Sequence, residues 1–151
     1  NYTSVELGHD TELAGHALAS FWIVVSAADF AIHAYLSEIL PDGHSLYVTE
    51  GSLRALHRYE TEPPRNYRTP AVFHPCTRGH ASGATPSQPH LFRFSLLPIS
   101  WTFRAGSRIR LSLEGADADH FQRIPTSGPL RIEVMRGGGH ASHIVLPLRA
   151  V

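Results

Sequence analysis

Lysine is absent from this 151-residue sequence, and cysteine nearly so. All 13 basic side chains are arginine, and 13 acidic ones bring the formal net charge to zero. Such a chain has no global field to draw it onto nucleic acid or an anionic membrane, so neither is expected as a partner. The arginine-only usage reads as genome composition rather than as an arginine-specific site. Cys76 stands alone, which excludes an intrachain disulfide and a cysteine-type zinc site. It reads as a bystander in a loop, with no adjacent feature beyond His74 to activate its thiol. Long apolar runs are missing as well. The longest, residues 18–28, is shorter than the ~20 residues a spanning helix needs, and no signal peptide is visible. The sequence opens on Asn1 rather than Met, as expected of a processed protein or of a piece of a longer one. The compartment stays open.

Helical periodicity is also lacking: no stretch keeps a 3.6-residue repeat for three turns. Two-residue alternation takes its place. Ile109, Leu111 and Leu113 alternate with Arg108, Arg110, Ser112 and Glu114, so one face meets a core and the other meets water. Residues 130–134 repeat the pattern. Phe92, Phe94 and Leu96 alternate with Arg93 and Ser95, and Ile144, Leu146 and Leu148 are expected inward, with Pro147 at a sheet edge. Residues 19–25 and 30–39 read as two longer strands, the first central and placing Trp22 in the core. Pro41-Asp42-Gly43 is a turn, because Pro presets φ and Gly accepts a positive one. Residues 45–49 and 53–59 follow as strands. The sum is about eight strands in a single domain, a β-sandwich of jelly-roll type. A chain of this length buries roughly 70% of its unfolded surface, enough for a core. The exception is a proline-rich stretch, about 61–89, holding Pro63, Pro64, Pro70, Pro75, Pro86 and Pro89. So long a loop is uncommon in a compact domain and is expected either to move or to wrap over something.

Catalytic chemistry is hard to find. A nucleophile elbow needs Gly-x-Ser-x-Gly between a strand and a helix. Gly79-His80-Ala81-Ser82-Gly83 holds these residues in the wrong frame and inside the proline-rich stretch. No glycine-rich phosphate loop leads into a helix, so no catalytic residue is assigned. Eleven histidines invite a metal reading, but a jelly-roll metal site needs imidazoles converging from neighbouring strands, and no His-x-His pair exists. His33 and His57 are isolated on their strands, and His140 and His143 are three apart after a triple glycine. No metal and no cofactor is expected. Asp117-Ala118-Asp119-His120 is the densest polar cluster. It lacks the spacing of a full calcium loop and reads instead as a turn held by aspartate-to-backbone bonds. Trp101, just before a turn, is the candidate sugar-stacking platform should the chain be a free-standing carbohydrate-binding module.

Two passages carry a resemblance. The first is Phe30-Ala31-Ile32-His33-Ala34-Tyr35-Leu36-Ser37-Glu38, then Pro41-Asp42-Gly43, then Tyr47-Val48-Thr49-Glu50-Gly51-Ser52-Leu53-Arg54-Ala55-Leu56-His57-Arg58. The second is Phe94-Ser95-Leu96-Leu97-Pro98 followed by Phe103-Arg104-Ala105-Gly106-Ser107-Arg108-Ile109-Arg110. With residues 115–121, Pro125, Arg136-Gly137-Gly138 and Leu146-Pro147 in collinear order, the chain resembles the C-terminal β-sandwich of X-Pro dipeptidyl-peptidase and cocaine-esterase-type serine hydrolases. Ser107 departs from the pattern, which often has histidine there, and that weakens any hydrogen bond expected from the position.

The resemblance implies a galactose-binding-like jelly roll following an α/β-hydrolase domain that this chain lacks. The catalytic Ser, Asp and His lie in that other domain. The β-domain is then expected to buttress it, with shaping of substrate access and homo-oligomer contacts as further roles. Asp117, Asp119, His120 and Phe121, with part of the proline-rich stretch, are the expected contact surface for the catalytic domain. The ester or X-Pro peptide substrate is not written in these residues.

Overall fold

The computed structural model describes residues 1–67 and 71–151, so Pro70 of the proline-rich stretch lies outside the described residues. Among those described there are eleven strands, three short 3-10 turns and no α-helix. The strands are β1 (Tyr2–Thr3), β2 (Thr11–Gly15), β3 (Leu18–Val25), β4 (Ala31–Ile39), β5 (Ser45–Arg54), β6 (Pro89–Ser95), β7 (Ile99–Phe103), β8 (Arg108–Glu114), β9 (Ile132–Val134), β10 (His143–Val145) and β11 (Leu148–Ala150).

They form a two-layered antiparallel β-sandwich. One layer has the order β1-β8-β4-β5. The other is a bent sheet in which β3 pairs with β6 on one side and with β9 and β10 on the other. β2 prolongs β3 and pairs with β7 and β11 in the same arrangement. The bend crosses three chain segments at one level, at residues 16–17, 96–98 and 146–147. Its causes are local: Gly15 holds φ +116°, and Pro98 and Pro147 have no N–H to give a ladder.

The alternation read in the sequence sorts side chains between the layers. Ala19, Phe21, Ile23 and Val25 of β3, Phe92 and Phe94 of β6, Ile32, Ala34 and Leu36 of β4, and Ile109 and Leu111 of β8 are buried. Phe30 meets Phe92 with ring centroids 5.2 Å apart, and Phe21 meets Phe94 edge-on at 5.9 Å.

Polar ties lock the layers together at two places. Glu38, on the inward face of β4, is fully buried. Its Oε2 accepts from Trp101 Nε1 at 3.1 Å and its Oε1 from the Arg104 backbone N–H at 2.8 Å, both across the sandwich. At the second tie, Thr49 Oγ1 donates to the Leu97 carbonyl at 2.8 Å, and the Leu97 N–H donates to the Glu50 carbonyl at 2.7 Å. Gly51 makes that approach possible, since a Cβ there would sit 2.6 Å from the Ser95 carbonyl oxygen and 2.9 Å from Leu96 Cα.

Several expectations are corrected. Among the described residues there are eleven strands rather than about eight; β1, β2 and β7 are short and had no reading of their own. The two strands expected at 45–49 and 53–59 are one, β5, ending at Arg54. A one-residue register shift opposite Leu36/Ser37 absorbs Val48, and residues 55–57 form a 3-10 turn carrying His57. The strand expected over 143–148 splits at Pro147 into β10 and β11, which turns Leu148 outward to 41% exposure. Trp22 lies on the outward face of β3, half-buried, with its ring edge-on to His140 at 4.4 Å. Ser107 is fully buried and its Oγ has no hydrogen-bond partner, in line with the weakened bond expected from the residue that often is histidine.

The described part of the proline-rich stretch wraps the outer edge of β6. His74 places its ring nitrogens 2.7 Å from the Arg93 carbonyl and 3.2 Å from the Tyr59 carbonyl. Arg93 pairs with Glu60 at 3.2 Å, and Ala84 enters the core as its N–H donates to the Ala28 carbonyl at 2.7 Å. Covering an edge strand in this way removes a template for unwanted pairing.

Two substitutions test the ties. Glu38→Ala strands two buried donors and is expected to cost about 2–5 kcal/mol in urea unfolding. Gly51→Ala forces backbone apart and is expected to cost about 1–3 kcal/mol, lowering the urea midpoint without changing its slope.

Candidate functional site

Glu38 faces inward on β4, and the alternate positions face outward. His33, Tyr35 and Ser37 therefore line the outer surface of the first layer, opposite Glu114, Ser112 and Arg110 of β8 and Ser52, Glu50 and Tyr47 of β5. The chain leaving β8 folds back over this surface and sets the expected cluster upon it.

Asp117 is the hub. Its Oδ1 accepts from the N–H groups of Asp119 at 3.1 Å and His120 at 3.3 Å, the aspartate turn expected from the sequence. Its Oδ2 accepts from the Tyr35 hydroxyl at 2.6 Å and lies 3.1 Å from His120 Nδ1. The Phe121 N–H closes the turn on the Asp117 carbonyl at 2.9 Å. Phe121 then stacks on His33, with centroids 4.6 Å apart and planes 22° apart, yet stays 38% exposed. The structure thus brings Asp117, His120 and Phe121 together over β4. Asp119 joins through its backbone N–H, on an exposed residue.

The electrostatics follow from this geometry. The Tyr35 hydroxyl, then the His120 contacts and the Asp119 N–H, hold the Asp117 carboxyl down at about 2 against the opposing effect of burial. Burial, then the bond to Asp117, pushes the Tyr35 phenol well above its usual range, so it remains a donor. Burial lowers His33 below its ordinary value, opposed by Asp117, Glu114 and Glu50. Its Nδ1 is buried without a partner.

His33 and Tyr35 were not picked out as members of the cluster. The signal was present: both lie on the polar parity of a strand whose other parity is Ile32, Ala34 and Leu36. What the sequence did not show was which loop would return over them.

The arrangement does not assemble hydrolytic machinery. Ser52 is the cross-strand neighbour of His33, but no hydrogen bond joins them and Phe121 covers the imidazole. Among the described residues no group of three or more His, Cys, Asp or Glu side chains is placed to hold a metal ion. Trp101, the candidate sugar platform, is half-buried against the core and commits its indole N–H to Glu38. No helix among the described residues is long and apolar enough to cross a membrane.

The chain is thus an antiparallel β-sandwich whose densest polar cluster is a hydrogen-bonded aspartate turn. The chain is a member of the X-Pro dipeptidyl-peptidase C-terminal non-catalytic domain family, which it matches over residues 1–145. It is 37% identical over 147 residues to proteins described as "putative serine esterase" in Mycobacterium bovis and Mycobacterium tuberculosis. The match takes in 97% of this chain but 23% of theirs, so the chain spans about a quarter of the length of these relatives. The fold is similar to part of a CocE/NonD family hydrolase from Staphylococcus aureus (TM-score 0.79, 16% identity, 98% of this chain and 30% of that one). It is likewise similar to part of an alpha-amino acid ester hydrolase (TM-score 0.73, 18% identity, 98% and 25%).

The depressed Asp117 carboxyl gives a signed expectation. A carboxyl whose folded value lies below its ordinary 3.8 stabilises the fold above that value and loses the contribution as pH falls toward about 2. Carboxyl-detected NMR should therefore show Asp117 titrating near 2. Tyr35→Phe, which removes the largest cause, should move it upward; an unchanged titration would show that the phenol does not hold the carboxylate.

Proposed function

We propose that this domain is the accessory β-sandwich of a larger serine hydrolase of the acyl-esterase or X-Pro dipeptidyl-peptidase type. It buttresses an α/β-hydrolase catalytic domain of the same polypeptide and shapes the approach to its active site, and contacts between copies are a further role. The observation that carries this reading is one of coverage: nearly all of this chain aligns with under a third of each of the relatives and structures named above.

The surface proposed to meet the catalytic domain is the turn of Asp117, Asp119, His120 and Phe121. Its support is physical. The turn is held rigid by Tyr35 and its own backbone, so presenting it costs little ordering on association. It also displays an aromatic ring still 38% exposed beside charged groups, a composition suited to the centre of a contact.

The test is to measure the mass of the native gene product and its hydrolysis of a p-nitrophenyl acyl ester and an X-Pro p-nitroanilide, beside this 151-residue chain. A longer product that cleaves either substrate while this chain is inert is the expected result, and the substrate cleaved gives the class. A product of this length, inert to both, would overturn the reading. In the longer product, Phe121→Ala is expected to raise KM or lower the melting temperature of the catalytic domain. No change in either would remove the turn from the contact.

A further inference from the structure

One edge of the sandwich is open. The first layer ends there in β1, which covers little of β8: Tyr2 pairs with Leu111 and Thr3 with Arg110. The Ser4 N–H donates to the Ile109 carbonyl and the Leu7 N–H to the Ser107 carbonyl, so the chain follows β8 closely on that side. Beyond Leu111 no described strand pairs with β8 on this edge, although β4 pairs with it on the other side as far as Glu114. Directly inside the uncovered stretch, between β8 and the β9–β10 edge of the second layer, is a cleft of about 270 Å³. Tyr2, Phe21, Leu111, Leu113, Val134 and Ile144 make it mainly apolar. Phe21, at its floor, is a core residue.

We infer that the occupant of this edge is the stretch of the same polypeptide running into Asn1, which prolongs β1 antiparallel along Ser112–Glu114 and closes the cleft with an apolar side chain. The register sets the arrangement. Partners in an antiparallel pair share a face, and Tyr2 and Leu111 both line the cleft. Continued by one step, Asn1 falls opposite Ser112 on the outer face. The residue before Asn1 then falls opposite Leu113 and points into the cleft. An aliphatic residue at that position fills the space and caps the exposed apolar wall. Two further observations favour this occupant over a separate partner. The strand is already started in the right direction, so its extension adds ladder bonds without any cost of association. The relatives are also about four times as long as the matched region. The inference rests on the proposed membership of a longer polypeptide.

Hydrogen exchange on the full-length gene product tests it, with intact mass read from the same sample. The expected result is slow exchange at Leu113, whose N–H faces the β1 side as that of Ile109 does, and at its partner, the residue immediately before Asn1. Replacing the residue immediately before Asn1 by Asp should then speed exchange at Leu113 and at that residue at least tenfold, while β3 and β6, and Ser112 and Glu114 on the β4 side, stay protected. Fast exchange at both positions of the unsubstituted protein would overturn the inference. So would protection of Leu113 without the preceding residue, which would mean a different occupant. A mass showing nothing before Asn1 would instead overturn the reading of a longer chain, so the two failures are distinguishable. If the Asp variant does not fold, the unsubstituted exchange pattern decides alone.

Discussion

A carboxyl group with no exposure to solvent holds the two layers in register. Glu38 projects from β4 to the inward face opposite Ile109, fully buried, where a lone polar group would be costly. Its partners, the Trp101 indole and the Arg104 amide, are neutral donors at 3.1 Å and 2.8 Å. Apolar packing between two sheets is tolerant of sliding, because hydrophobic burial has no preferred direction. Two hydrogen bonds across the gap do have a direction. They fix where β7 and the turn after it sit relative to β4, and through the β2–β7 ladder they place the lower half of the bent sheet.

The second tie gives a physical meaning to one of the passages that carried the resemblance. Thr49-Glu50-Gly51 is a corner at which the edge of β5 bonds to the turn between β6 and β7. Threonine supplies a hydroxyl to the Leu97 carbonyl. The Glu50 carbonyl takes the Leu97 N–H, and glycine removes the Cβ that would collide with Ser95 and Leu96. The matching Leu96-Leu97-Pro98 passage is the other half of the same joint. Two distant motifs are therefore one structural device, and their residue types follow from sterics and bonding rather than from chemistry on a substrate.

The legible part of the fold was the part governed by nearest neighbours. Alternation gave β3, β4, β6 and β8 with their inward faces, because a strand half-buried in a sandwich must repeat every two residues. Features set by distant contacts were not legible. Glu38 reads as a surface residue until Trp101 is known to face it. The break of residues 143–148 at Pro147 lies level with Gly15 and Pro98 on two other segments, and the sequence does not show that these three sit side by side. Trp22 was misplaced because an apolar run on a two-faced strand does not say which face is covered. For the candidate site, the aspartate turn was legible from spacing alone, since its bonds span two and three residues. Its anchor was not, because Tyr35 lies 82 residues away along the chain.

That anchor shows how one strand serves both tasks. β4 sends Glu38 inward and Tyr35 and His33, three and five residues before it on the opposite parity, outward. Whatever fixes β4 against the second layer also fixes the phenol that Asp117 accepts from and the imidazole that Phe121 covers. Because β4 is central in its sheet, with β8 and β5 on either side, it is the least free of the strands to shift. A turn mounted there inherits the rigidity of the core, which an ordinary surface loop of the same length would lack. On the proposed reading of this turn as the face set against the catalytic domain, that rigidity serves to present the exposed side of Phe121, while the Asp117 carboxylate is occupied in holding the turn itself.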